Sequence, residues 1–149
     1  MLSIGAMSGG QHAYYISLAR EDYYTQGGEP PGRWFGQGAR SLNLDGLVRE
    51  DTLSNLFRGY SPDGSHSLVQ RQKKAEAGIH RPGWDLTFSA PKSVSVFWSQ
   101  SADATQQVVL ECHRAAVDAA LGFLEDEAVF TRRGAQGRAS EKVGMVCAQ

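Results

Sequence analysis

The residues Asp85-Leu86-Thr87-Phe88-Ser89-Ala90-Pro91-Lys92-Ser93-Val94-Ser95 decide the fold of this chain. Up to Phe88 apolar and polar residues alternate, which is the period of a β-strand with one face in a core. We expect one face to carry Trp84, Leu86 and Phe88 and the other to carry Asp85, Thr87 and Ser89. Pro91 has no amide proton but suits a first helical turn, and the apolar residues after it recur at helical spacing. The stretch therefore predicts a strand followed by a short helix, with a second strand through Val94, Val96 and Trp98 as the alternative.

Length and composition indicate one globular domain. The chain has 149 residues, 41% of them hydrophobic and 21% charged, which is ordinary for a single domain of this size. It has no apolar run long enough to span a membrane, and Met1-Leu2-Ser3-Ile4 does not begin a signal peptide. Cys112 and Cys147 form no CxxC pattern and are expected as free thiols. These features predict a soluble cytoplasmic protein with one domain over residues 1–149.

The charge distribution is uneven although the net charge is only -1. Residues 57–92 carry six Lys or Arg against three acids, and residues 131–149 carry four against one. Between them, residues 93–130 carry one Arg against six acids. The net charge excludes a globally basic protein, but two basic segments around an acidic one suit a polyanion. Solvated loops are an equally good explanation of the charge alone.

The rest of the pattern predicts an α+β fold. The expected elements are a strand over residues 1–8, a helix over 11–24, a Gly-Pro-rich bend over 27–38, a helix over 51–59 capped by Asp51 or Thr52, a helix over 103–127 and a hairpin over 130–149. The apolar face of the 103–127 helix should consist of Val109, Cys112, Ala116, Val117, Ala120, Leu121 and Leu124. The return strand of the hairpin should carry Val143, Met145 and Cys147. Such mixed short elements favour an antiparallel sheet with helices packed on it.

Four features together resemble a known family. They are the opening strand, the tyrosine pairs Tyr14-Tyr15 and Tyr23-Tyr24, the bend ending in Arg33-Trp34, and the Asp85-to-Ser95 stretch. This combination, over the whole chain, resembles the N-terminal part of conjugative relaxases of the MobF (TrwC/TraI) class. The resemblance implies a partial relaxase (HUH endonuclease-like) fold and a site-specific, single-stranded DNA endonuclease and transesterase. Its implied partners are single-stranded or hairpin transfer-origin DNA of a plasmid and relaxosome accessory proteins.

The resemblance also implies roles for the tyrosines. Tyr14 would attack the scissile phosphate and leave a 5′-phosphotyrosine, Tyr23 would serve a second transfer, and Tyr15 and Tyr24 would be auxiliaries. Asp85 would orient a metal-binding histidine or accept the tyrosine proton, which is needed because a phenol ionises only near pH ~10. The ordinary alternative makes the tyrosines core and rim aromatics and makes Asp85 a cap for the following turn.

Five basic residues are candidate DNA contacts. They are Arg71, Lys73, Lys74, Arg81 and Lys92. Side chains of this kind can track a DNA backbone or bind a phosphate at a helix start. They can equally be exposed residues with no ligand.

A metal site is expected in the family but not in this chain. The resemblance implies a divalent ion, Mg or Mn, held by three histidines in a His-x-x-Ser-Arg and His-x-His pattern. This sequence contains neither pattern, and its own histidines, His12, His66, His80 and His113, have no ligand spacing. The expectation is a truncated relaxase that binds no metal and cleaves little or no DNA.

Truncation has two further implications. Later strands would cover a sheet edge that is left open here, so the 149 residues are expected to fold poorly or self-associate. The function is then a relaxase fragment, with a non-catalytic DNA-binding module or a non-functional gene remnant as the alternatives.

Overall fold

The computed structural model describes residues 1–7, 14–16, 32–69, 82–133 and 138–149. Within them the strands are β1 (Leu2–Ala6), β2 (Trp34–Phe35), β3 (Trp84–Phe88), β4 (Phe130–Arg133), β5 (Ala139–Lys142) and β6 (Cys147–Ala148). The helices are α1 (Gln37–Ser41), α2 (Glu50–Phe57), α3 (Lys92–Gln100) and α4 (Asp103–Ala128). Residues 14–16 are also helical, and the rest of the helix predicted over 11–24 lies outside the described residues.

Strand pairs and helices confirm the α+β class. β1 pairs with β3, β2 with β6 and β4 with β5, and the last two pairs are antiparallel. The predicted strand at Asp85 and the helix after Pro91 are both present, so the alternative of a second strand is wrong. Pro91 is the N-cap residue of α3, where its missing amide proton costs no helical hydrogen bond.

The chain divides into two compact units. The first unit comprises Met1–Ile4 and Leu86–Val143, and the second comprises Gly5–Asp85 and Gly144–Gln149. The single incomplete domain predicted over residues 1–149 stays a prediction.

The core of the second unit lies around α2. Val48 and Leu53 are buried there, and Trp34 and Phe57 pack against them. The N-cap of α2 is Arg49, so the prediction of Asp51 or Thr52 as cap is wrong. The Asp51 carboxylate instead accepts a hydrogen bond from the Thr52 amide at 2.8 Å, inside the first turn.

The segment that was predicted as the return strand of a hairpin belongs to two different strands. β4 pairs with β5 from Phe130↔Lys142 to Arg133↔Ala139, but β5 ends at Lys142. β6 then pairs with β2 in the second unit, with Phe35 opposite Cys147. The predicted hairpin is confirmed for β4 and β5, but its extension to residue 149 is wrong, because alternating side chains indicate an extended segment without indicating its partner strand.

Close backbone contact joins α1 to the segment before β6. The sequence pattern does not predict α1, which begins at the end of the expected bend. A Cβ atom built on Gly38 would lie 2.5 Å from the Gly144 carbonyl oxygen, and one built on Gly144 would overlap the Gly38 amide nitrogen. The Ala39 amide donates a hydrogen bond to the Met145 carbonyl at 3.2 Å. Only glycine at both positions allows the two backbones to approach so closely.

In the first unit, α4 is the longest element. Its first turn is tied to the end of α3 by Gln106, whose amide donates to the Trp98 and Ser101 carbonyls at 3.1 Å each. Near its other end, Asp126 forms a 3.3 Å ion pair with Lys142 of β5. Among the helices that the structure describes, none is both long and apolar enough to cross a membrane.

Several apolar residues predicted in a core are exposed. On α4 Leu121 is buried, but Cys112 and Ala116 are exposed although they share its predicted apolar face. The whole of α3 is exposed. Leu86 and Phe88 of β3 are half-buried as expected, whereas Trp84 is exposed. Periodicity predicted which residues share a face of each helix, but it did not show which of those residues are covered.

The two cysteines should react at very different rates. Burial raises the pKa of the Cys147 thiol to about 11, whereas Cys112 is exposed. Because the thiolate is the nucleophile, the raised pKa lowers the reactive fraction of Cys147 roughly a hundredfold at pH 8. Titration with a chromogenic disulfide reagent should show one fast thiol in the native protein and two in denaturant. Two equally fast native thiols would contradict the placement of β6 against β2.

Candidate active site

Tyr14 and Tyr15 lie side by side in the helical segment at residues 14–16. Their ring centroids are 5.2 Å apart and the ring planes are inclined by 75°, an edge-to-face contact. Successive side chains of a helix leave it in different directions, so the two phenols have different surroundings. Tyr14 is 60% exposed, whereas Tyr15 is half-buried.

Tyr15 packs against the end of α2. Its ring centroid lies 6.5 Å from that of Phe57, with an interplanar angle of 61°. Phe57 also packs on the core pair Val48 and Leu53, so the tyrosine segment is supported by the core of the second unit. The sequence had placed Phe57 only on an amphipathic helix, and no spacing signal indicates its contact with Tyr15.

Asp85 of β3 accepts a hydrogen bond from the Tyr15 hydroxyl. Burial raises the pKa of Tyr15, and the hydrogen bond to Asp85, the charge of Asp85 and the neighbouring Tyr14 raise it further. A phenol in this setting keeps its proton at neutral pH, and it has a carboxylate in direct contact that can receive that proton. The second unit therefore contains a phenol–carboxylate pair with an exposed phenol beside it.

The structure places only some of the other predicted site residues. Lys92 is exposed at the first residue of α3, in the first unit. The remaining ones lie outside the described residues: Tyr23, Tyr24, Arg71, Lys73, Lys74 and Arg81. Tyr14, Tyr15 and Asp85 are thus the predicted site residues that the structure brings together.

The described residues do not fit a bound divalent metal. They contain no group of three or more His, Cys, Asp or Glu side chains that could hold an ion. Nδ1 of His66 lies 3.0 Å from the Ser65 hydroxyl, and His113 lines an apolar cleft of the first unit. His12 and His80 lie outside the part of the chain that the structure describes.

Comparison with protein families identifies a relaxase family. The family model described as TrwC relaxase matches residues 8–149. The multifunctional conjugation protein TraI of Escherichia coli is 39% identical over 127 residues. That alignment covers 84% of this chain and 7% of TraI. The same protein of strain K12 matches to the same extent.

Solved structures give the same result for the fold. The conjugative relaxase TrwC in a metal-bound complex with OriT DNA matches with a TM-score of 0.77 and 28% identity, over 99% of this chain and 49% of TrwC. A copper-bound complex of TrwC with OriT DNA gives a TM-score of 0.76 and 29% identity, over 99% and 50%. The metal-free complex of TrwC with OriT DNA matches with a TM-score of 0.73 and 27% identity, over 99% of this chain and 48% of TrwC. This chain thus spans about half the length of the TrwC chains and a small part of TraI.

Proposed function

The chain belongs to the TrwC relaxase family, and on that premise we propose that it supplies the tyrosine part of a conjugative relaxase site that nicks and transfers single-stranded plasmid DNA at a transfer origin. The contact between Tyr15 and Asp85, with Tyr14 exposed beside it, is the observation that carries this proposal. TrwC, which matches nearly all of this chain, was solved with OriT DNA, including a 27-mer comprising the recognition hairpin and the cleavage site.

In the proposed reaction Tyr14 is the nucleophile. Its exposed phenol oxygen attacks the scissile phosphorus in line, forming a P–O bond to tyrosine while the bond to the 3′-oxygen breaks. The phenol proton passes to Asp85, and the leaving 3′-oxygen takes a proton to become a hydroxyl. The product is a 5′-phosphotyrosine that a later 3′-hydroxyl can attack to rejoin the strand.

Tyr15 has a different proposed role from Tyr14. Its hydroxyl donates to Asp85 and its ring is held by Phe57, so it fixes the position of the carboxylate. A carboxylate held in one position is a better proton acceptor than a mobile one, because less ordering is needed at the moment of reaction. Tyr15 is therefore a positioning residue, and its loss should weaken the reaction without abolishing it.

Strand transfer with Tyr23, with Tyr24 as an auxiliary, stays part of the proposal. Arg71, Lys73, Lys74, Arg81 and Lys92 remain proposed contacts to the DNA backbone, as cations are the general means of holding phosphates. Relaxosome accessory proteins are further proposed partners, and the cytoplasmic location stays a prediction.

We also propose that these 149 residues alone cleave DNA poorly. They contain neither His-x-x-Ser-Arg nor His-x-His, the patterns that the family resemblance associates with a divalent metal. Binding without cleavage would make the chain a DNA-binding module, the second function considered from the sequence.

The test compares two proteins on one DNA. A labelled single-stranded oligonucleotide with a transfer-origin hairpin and cleavage site is incubated, in Mg²⁺ or Mn²⁺, with this chain or with a chimera. The chimera carries, after residue 149, the half of TrwC that this chain does not match. We expect DNA binding by both proteins but a covalent adduct, read on a denaturing gel, mainly with the chimera. In the Tyr14→Phe chimera the amount of adduct should fall below detection. In the Tyr15→Phe chimera it should be reduced by about 10²-fold or less.

The paired variants make the assignment refutable. Tyr14→Phe and Tyr15→Phe remove one oxygen each, so a difference between them reports on position rather than on ring packing. Adduct that persists in Tyr14→Phe and disappears in Tyr15→Phe would transfer the nucleophile to Tyr15. Failure of this chain to bind the DNA, with a chimera that forms no adduct, would reject the proposed function altogether.

A further inference from the structure

The basic segment at residues 131–149 has no part in the proposed tyrosine chemistry. Its cations are Arg132, Arg133, Arg138 and Lys142, and its one carboxylate is Glu141. Much of this segment lies in the β4–β5 pair, so the register of that pair decides which charges share a face. The whole pair belongs to the first unit, whereas the tyrosine site belongs to the second.

The register sorts the charges of the β4–β5 pair onto opposite faces. Phe130 lies opposite Lys142, and Arg132 lies opposite Ser140. Residues opposite each other in an antiparallel pair project to the same face, as do residues two apart along a strand. These four residues therefore share one face, which we call the basic face of the β4–β5 pair. The carboxylate of Glu141 projects to the other face.

The basic face is open to solvent. Phe130 is 55% exposed. Arg132, Ser140 and Lys142 are exposed as well, whereas Thr131, which projects to the other face, is half-buried. An exposed aromatic ring among cations is the arrangement by which proteins hold single-stranded nucleic acid, because bases stack on the ring while the cations contact phosphates.

Lys142 of the basic face has a carboxylate neighbour on α4. Its Nζ atom lies 3.3 Å from Oδ1 of Asp126, and the two side chains are 54% and 64% exposed. An ion pair as exposed as this contributes little to stability, so the lysine can exchange the carboxylate for a phosphate at small cost. Asp126 is therefore a competitor of any polyanion that binds to this face.

The chemistry of the basic face selects a single strand. In a duplex the bases stack on one another and present only their edges in the grooves, so a phenyl ring finds no base face to contact. An acidic peptide would pair with the cations but offers no base to stack on the ring. We propose that the basic face binds single-stranded DNA, with a base stacked on Phe130 and phosphates held by Arg132 and Lys142. The choice of DNA over RNA rests on the proposed function.

The test measures binding without cleavage. Fluorescence anisotropy of a labelled oligothymidylate of about 15 nucleotides, which forms no hairpin, gives the affinity of this chain at several salt concentrations. Phe130→Leu should weaken binding about fivefold or more without changing the salt dependence, because it removes a stacking surface and no charge. Arg132→Gln should weaken binding and reduce the slope of log affinity against log salt by about 0.7, the value for one phosphate contact on a single strand. Asp126→Asn should strengthen binding.

Three matched controls lie on α4 of the same unit. Phe123→Leu, Arg114→Gln and Glu127→Gln make the same changes at other exposed positions and should leave the affinity nearly unchanged. If circular dichroism shows that Phe130→Leu disturbs the fold, Arg132→Gln and Arg132→Lys decide the question. Arg132→Lys keeps the charge and should therefore keep the salt dependence of the native chain.

The other outcomes overturn the inference. They are no binding of the oligothymidylate, tighter binding of a duplex of the same length, and equal losses of affinity in Arg132→Gln and Arg114→Gln. Failure of the nicking proposal looks different, since the chimera would form no adduct while the basic-face variants still lowered the affinity for the oligothymidylate. Conversely, adduct formed by a chimera whose basic-face variants bind normally would reject the basic face and keep the nicking proposal.

Discussion

Gly38→Ala should lower the free energy of unfolding by about 3 kcal/mol or more, at the upper end of what overpacking a core costs. The added Cβ would lie 2.5 Å from the Gly144 carbonyl oxygen, and the atoms around it are backbone, which cannot turn aside as a side chain can. Urea denaturation followed by circular dichroism measures the loss. The gain in helix propensity of about 1 kcal/mol does not offset it.

Two further variants sharpen this prediction. Gly122→Ala is the control, because Gly122 lies in α4 with nothing within 4 Å of an added Cβ, so it should stabilise by up to about 1 kcal/mol. Gly144→Ala should lower the free energy of unfolding by as much as Gly38→Ala does. The double variant should cost less than the sum of the two, since both disrupt one contact. A fully stable Gly38→Ala protein would mean that α1 and the segment before β6 do not touch.

Leu121→Ala should cost about 2–5 kcal/mol, the usual range for deleting a buried leucine side chain. Leu121 is 1% exposed, and it is the buried hydrophobic residue of the first unit among those described. Its loss should reduce the helical signal of α4 as well as the midpoint of urea unfolding.

Phe123→Ala provides the comparison for Leu121→Ala. Phe123 lies on the same helix but is 67% exposed, so its truncation should change stability by about 0.5 kcal/mol or less. Equal losses of stability in Leu121→Ala and Phe123→Ala would contradict the difference in burial between these two residues. They would show that the helix face that carries Phe123 is also covered in solution.

The sequence predicted helices and strands well where residues close to their ends determine where they begin or stop. Pro91 separates β3 from α3, and α4 begins at Asp103, where the sequence predicted a helix to begin. Long-range pairing was not predictable in the same way. The hairpin predicted over 130–149 has one return strand, yet β5 and β6 in that part of the chain pair with different partners, because alternation specifies a face and not a neighbour.

The candidate site was predicted only in part. Family resemblance selected Tyr14, Tyr15 and Asp85, and the structure brings these three together. Spacing along the chain does not show which hydroxyl reaches the carboxylate, since that depends on how the 14–16 segment packs on Phe57. The sequence assigned Tyr15 as an auxiliary, and its contact with Asp85 gives a physical reason for the positioning role proposed above. The roles themselves stay predictions.

The β2–β6 pair also constrains the order of folding. Trp34 lies opposite Ala148, so this ladder closes a loop that contains most of the first unit. Loop-closure entropy makes such distant pairing slow, whereas α3, α4 and the β4–β5 pair depend on contacts between near neighbours. During synthesis α3 and α4 leave the ribosome before residues 144–149 do. The helices α3 and α4 should therefore form before the β2–β6 pair, although β2 precedes both helices in the sequence.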